Sequence, residues 1–161
     1  MAAARALVAK AKTLFQQKKY EEARGELDKV VVLMPEDTNA VQFRSLALFA
    51  EGLFEQAASD AYDSFKLGNS WNWDALMDVY ADDRDTYQQH LRALEATVKA
   101  ESTVPGHFLL AYHYLVLNHL EHGEKHLQNV LELRPEEELS QQLLAVVQDL
   151  QKQDDGQTAS R

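Results

Sequence analysis

Three runs of side chains in this 161-residue chain have the types and spacing for chemistry. The first is His119-Leu120-Glu121-His122-Gly123-Glu124-Lys125-His126. His122 and His126 stand four apart, and on one helical face that spacing can present two imidazoles to a transition metal. No third ligand follows at a fixed spacing, and the order differs from His-Glu-x-x-His. His113, between Tyr112 and Tyr114, reads as a hydrogen-bonded packing residue rather than a catalytic one. The other two runs are acidic: Asp82-Asp83-Arg84-Asp85 and Glu136-Glu137-Glu138. Paired acids serve glycoside hydrolysis or divalent-ion binding. Here each run opens a segment with helical apolar spacing, where negative charge meets the positive end of the helix dipole, so capping is the simpler account. The chain has no glycine-rich phosphate loop, Gly-x-Ser-x-Gly or dinucleotide fingerprint. It also has no cysteine, which removes thiolate catalysis, cysteine zinc sites and iron–sulfur clusters. The expectation is a non-enzymatic protein with no catalytic residue, no metal and no cofactor.

The elements that would position these residues are helices. Apolar residues recur at helical spacing almost throughout, as in Leu7, Ala11, Leu14, Phe15 and again in Ala23, Leu27, Val30, Val31, Met34. Six Gly and three Pro are too few for a turn-dense β sandwich or a collagenous chain. Breaks are short: Lys18-Lys19, Pro35-Glu36-Asp37, Gly52, Gly68-Asn69-Ser70, Ala81-Asp82-Asp83, Thr103 to Gly106, Asn118-His119 and Pro135-Glu136. Short breaks between amphipathic helices imply antiparallel neighbours.

The segments also repeat. Leu7, Ala11, Leu14, Tyr20, Ala23, Leu27, Val30 and Pro35 return 34 residues later as Val41, Ser45, Leu48, Phe54, Ala57, Ala61, Ser64 and Asn69. A later copy ends at Pro135 and contains His107, Ala111, Tyr114, Leu120, Gly123, Leu127 and Val130. The small residues Ala23, Ala57 and Gly123 allow paired helices to approach closely. Between Ser70 and Val104 the pattern degenerates. Trp71 to Tyr80 makes one short helix, and Asp83 or Asp85 caps a longer one through Leu91, Leu94 and Val98 to Ala100.

On these residues the chain resembles the tetratricopeptide repeat (TPR) family, in a bacterial type with one degenerate repeat. The resemblance implies an all-α, right-handed, antiparallel helix-pair solenoid of about four helix pairs plus a C-terminal capping helix. Its repeats would lie at about 4–37, 38–71, 72–103 (degenerate) and 104–137. A cap at 138–152 completes a domain of residues 1–152, and 153–161 is a disordered tail. Members of the family bind a peptide or partner protein in a concave groove lined by the first helix of each pair, and that function comes from the resemblance. The matching inward positions are Val8, Lys12 and Phe15, with Arg5; Gln42, Leu46 and Phe49, with Asn39; Trp73 and Tyr80, with Leu76; and Phe108 and Tyr112, with Leu115. The implied groove is mainly apolar and aromatic with a basic corner. Trp71 and Trp73 stand two apart and cannot share one helical face. The family's carboxylate clamp for chaperone tails is absent. Its positions hold Val8, Lys12 and Phe43, and no Lys or Arg lies between Trp71 and Asp83.

Charge sharpens the partner expectation. The net charge is −10, which argues against nucleic acid. Residues 1–20 carry Arg5, Lys10, Lys12, Lys18 and Lys19 without an acid, so the remainder carries −15. That asymmetry allows an acidic partner segment or end-to-tail self-association. Arg5, Lys10 and Lys12 interrupt any secretory signal, and no run of about 18 apolar residues spans a membrane. A soluble, cytoplasmic protein with a protein or peptide partner is expected, and a homo-oligomer is possible. The alternative expectation is a structural or oligomerisation module of a larger protein.

Overall fold

A computed structural model describes residues 1–68 and 72–159. Its elements are α1 (Ala2–Gln16), α2 (Tyr20–Leu33), α3 (Thr38–Glu51), α4 (Phe54–Lys66), α5 (Trp73–Val79), α6 (Arg84–Ala100), α7 (Val104–Val116), α8 (Leu120–Leu133) and α9 (Glu138–Thr158). The described residues contain no strand, so the fold is all-α. Trp71 lies outside the described residues, as does the 71 side of the repeat boundary at 71/72.

Three pairs, α1/α2, α3/α4 and α7/α8, are built on one turn. The residue that leaves the first helix is left-handed in each: Lys18 at φ 61°, Gly52 at 79° and Asn118 at 59°. The next residue then bonds back across the helix end, Lys19 N–H to Leu14 O, Leu53 N–H to Leu48 O and His119 N–H to Tyr114 O, each at 2.9 Å. This is the 6→1 bond of a Schellman end, which satisfies carbonyls the helix leaves open. Glycine adopts that conformation without penalty, and asparagine tolerates it. The ends of the pairs repeat too. The Asp37 carboxylate accepts from the N–H groups of Asn39 and Ala40, and Glu137, one hundred residues on, accepts from those of Leu139 and Ser140. Asp83 accepts from the Thr86 N–H and hydroxyl. Each acidic run is thus a helix cap, as its position suggested.

Where the helices of a pair cross, Ala23 and Ala57 have no exposed surface. A Cβ added to Gly123 would lie 2.7 Å from the Leu115 side chain. That close approach is why this position is small in every copy. Charged side chains tie α2, α3 and α4 together. Arg44 forks onto Asp60 at 2.7 and 2.8 Å and also reaches Asp28 at 3.3 Å. Arg24 meets Glu51 at 2.7 Å. The Asp60 side chain is 8% exposed, so Arg44 supplies the charge that makes its burial tolerable.

The degenerate pair departs from the expected stack. α7 packs directly on α4, as α3 packs on α2, so repeats one, two and four form the continuous layers. α5 instead lies against α1, and α6 against α3 and α7. At the other end α9 packs on α8. α9 runs beyond the expected boundary at 152 as far as Thr158, and 152–159 are exposed. Gln, Lys and Asp propagate a helix adequately without an apolar face.

Candidate partner-binding site

The face presented by the first helices is where the resemblance puts a groove, and α5 and α6 occupy most of it. Phe15 on α1 meets the edge of Tyr80 with ring centres 4.9 Å apart. Phe49 on α3 stacks on His113 of α7 at 4.0 Å and lies 6.1 Å from Tyr87 of α6. The Tyr87 hydroxyl pairs with His113 Nδ1 at 3.0 Å, and the Tyr80 hydroxyl pairs with His90 Nδ1 at 2.8 Å. α5, α6 and the turn between them bury Leu76, Met77, Val79, Tyr80, Tyr87, Leu91, Leu94 and Val98. At about 1.5–3 kcal/mol each, these eight side chains represent up to about 12–24 kcal/mol of burial. With Tyr87 at 1% and Leu94 at 0% exposure, the inserted pair belongs to the core.

This arrangement corrects most of the expected groove. Phe15, Gln42, Leu46, Phe49, Tyr80, Phe108 and Tyr112 are all buried, each at 4% exposure or less. Phe108 and Tyr112 face elsewhere altogether. They meet Phe65 of α4, and Phe108 also meets Tyr62, because α7 stacks on α4. Trp73 is half-buried, edge-on to Tyr87, with the Arg84 guanidinium 5.7 Å from its ring centre. Phe108 edges a hollow beside Tyr62 and Glu137, and Trp73 one beside Arg92 and Glu95, whereas Val8 and Lys12 line a wider concavity.

That concavity lies at the N-terminal end of the same face and has a volume of about 610 Å³. α5 covers α1 only around Lys12, Phe15 and Gln16. Lys12 Nζ reaches Asp78 at 2.6 Å, and Gln16 donates to the Asp78 carbonyl at 3.4 Å. The first half of α1 stays uncovered, and its alanines leave room. Ala4, Val8, Val30, Met34, Ala40 and Phe43 make an apolar floor. Arg5 and Lys12 stand on one rim, and Asp37 and Asp78 also line the opening. Arg5 is exposed and forms no ion pair among the described residues. Sequence reasoning missed Phe43, Ala40 and the α5 contribution. Phe43 was legible only as a failed clamp position, and α5 could not be placed without knowing that it leaves the stack.

The histidines form a packed array rather than a surface cluster. His107 Nδ1 lies 2.9 Å from His126 Nδ1, and Ser102 Oγ lies 2.6 Å from His107 Nε2. His126 is stacked parallel to Tyr114 at 5.6 Å, and the Tyr114 hydroxyl donates to Glu95. His122 is exposed and His126 is half-buried. Among the described residues no three His, Asp or Glu side chains are grouped to hold a metal ion. Burial, and then the neighbouring His107, depress the His126 pKa to about 4. His113 is fully enclosed, and its desolvation lowers its pKa to about 3.

No family model matches this chain, and neither does any curated protein sequence. Several solved structures are similar, among them two of MamA. "MamA RS-1 ArsTM double mutant" is 22% identical and covers 99% of this chain and 90% of its own, with a TM-score of 0.42. "MamA 41-end from Desulfovibrio magneticus RS-1" is 23% identical over the same shares, with a TM-score of 0.43. Superpositions this loose leave the helix-pair solenoid resting on the repeated turns, caps and contacts above. No helix among the described residues is long and apolar enough to cross a membrane.

Proposed function

We propose that this chain is a non-enzymatic protein-interaction module that holds a peptide segment in the N-terminal concavity between α1, α3 and α5. The supporting observation is that this stretch of the first-helix face keeps a concavity of about 610 Å³ edged by half-buried Val8 and Met34, while the aromatic remainder is filled from within. Apolar anchors entering such a floor supply the binding energy, and charges at the rim fix register. Unpaired Arg5 favours an acid beside the anchors. The short helical or extended ligand would thus carry two or three large apolar residues and a carboxylate.

Selecting a random peptide library on the immobilised chain checks this. The wild type should enrich sequences with closely spaced apolar anchors next to Asp or Glu. Val8→Glu should bind the selected peptides at least about tenfold more weakly, since it places a charge on the apolar floor. Leu53→Glu, on an exposed turn away from the cavity, should bind normally. Equal binding by Val8→Glu would refute the site.

A further inference from the structure

We propose that the occupant of the N-terminal concavity is a partner protein's helix that packs on α1 as α4 packs on α7, carrying Glu, a large apolar residue and Tyr at the spacing of Glu55, Ala58 and Tyr62. This rests on the concavity being the binding site proposed above, and it names the form of the ligand. The repeat itself supplies the template. Ala4, Arg5, Val8, Val30, Met34 and Asp37 line the concavity. The matching positions of the last copy, Val104, Pro105, Phe108, Val130, Arg134 and Glu137, line a second hollow of about 420 Å³. There α4 forms the facing wall with Glu55, Ala58 and Tyr62. The Tyr62 ring centre lies 5.3 Å from that of Phe108, and the Tyr62 hydroxyl donates to Glu137 at 2.7 Å. In the stack α3 rests on α2 and α7 on α4, whereas α1 packs on its own partner α2, with α5 reaching it at Lys12. A solenoid buries each pair on its neighbour, so this face of α1 is the one the stack leaves without that helix.

Asp37 can take the same hydroxyl. Its carboxylate accepts from two amides at the start of α3, and Glu137 accepts from two at the start of α9 while also accepting from Tyr62. A carboxylate has about four lone-pair sites, so capping leaves one for a third donor. The lining differs in ways that set the ligand's other side chains. Ala4 and Val8 stand in place of Val104 and Phe108, so a residue larger than Ala58 fits against them. Arg5 is exposed and stands in place of Pro105, so an acid at the place of Glu55 gains a cation. Spacings of three and four bring all three side chains to one face of a helix. An extended segment would turn residues three apart to opposite sides.

Fluorescence anisotropy with a labelled synthetic peptide tests this. The probe is residues 54–66 with Ala58→Leu, stapled on its outer face because so short a helix is marginal alone in water. The full chain should bind the probe, and Val8→Glu should not. Adding Tyr62→Phe to the probe should weaken binding to the full chain at least about tenfold. Asp37→Asn, which still caps α3, should bind the two peptides alike. A peptide that keeps Ala58 should also bind at least about tenfold more weakly, since it leaves the floor unfilled. A probe that does not bind, equal binding by Val8→Glu, or a Tyr62→Phe peptide as tight as its parent would each overturn the proposal. Self-association of the wild type through Val8 would make a second copy the occupant and overturn it as well. Library-selected peptides that bind through Val8 where the probe fails would remove only the helix. Loss of both would remove the peptide site too.

Discussion

Phe49→Ala should destabilise the fold by about 3–5 kcal/mol and lower the melting temperature by on the order of 10 °C. Phe49 is 1% exposed and meets side chains from three directions. His113 stacks on one face, Tyr87 and His90 of α6 approach from another, and Phe54 of α4 lies 6.3 Å away. Truncation would open a cavity at the meeting point of α3, α6 and α7, where none of these rings can collapse without losing a neighbour. Thermal and urea unfolding followed by circular dichroism measure the loss. An open groove would give the opposite pattern. There Phe49 would be a ligand contact, its removal would leave the melting temperature unchanged, and only peptide binding would fall.

Acid should destabilise the protein well before its carboxylates titrate. His113 has a folded pKa of about 3, against 6.5 for the unfolded chain. The unfolded state therefore binds the extra proton between those values. Stability is full above about pH 6.5 and falls as pH drops toward 3, by about 1.36 kcal/mol per unit from this residue. At pH 4.5 His113 alone would remove about 2.7 kcal/mol. Protonation puts a hydrogen on both ring nitrogens, so Nδ1 can then only donate to the Tyr87 hydroxyl, 3.0 Å away, in the link between α6 and α7. His126 adds to the loss in the same direction, with less weight because it is half exposed. The readout is the slope of unfolding free energy between pH 6.5 and 5. His113→Asn, whose side-chain oxygen can still accept from Tyr87, should flatten that slope by about one proton. An unchanged slope would show that His113 is not the group responsible.

Much of the fold was legible because local chemistry set it. Turn residues at Gly52 and Asn118, Pro35 and Pro135, and the small residues Ala23, Ala57 and Gly123 mark a unit whose backbone bonds then repeat atom for atom. Asp83 and Glu137 were readable as caps from their place before apolar periodicity. The placement of α5 and α6 was not readable. Their apolar spacing suits burial against any helical face, and a stacked layer and an inserted pair need the same pattern. Only tertiary contact distinguishes them, and the large aromatics Tyr80 and Tyr87 fill the space a ligand was expected to take. The inward list failed for the same reason. Phe15 and Phe49 do point into the first-helix face, but a segment of the same chain meets them there. Val8 borders the concavity because α5 is only seven residues long and reaches α1 no further than Lys12. The spacing of His122 and His126 does not show that Tyr114 and His107 draw His126 into a stacked array.

The central claim is that α6 is core and that binding is left to the N-terminal cavity. Amide hydrogen exchange under native conditions tests it most directly. The amides of α6 around Leu91 and Leu94 should exchange only through global unfolding, with protection matching that of α3, while α9 beyond 152 exchanges fast. Exchange in α6 orders of magnitude faster than in α3 would mean that the inserted pair opens as a unit. That result would return the aromatic face to its expected role as the groove.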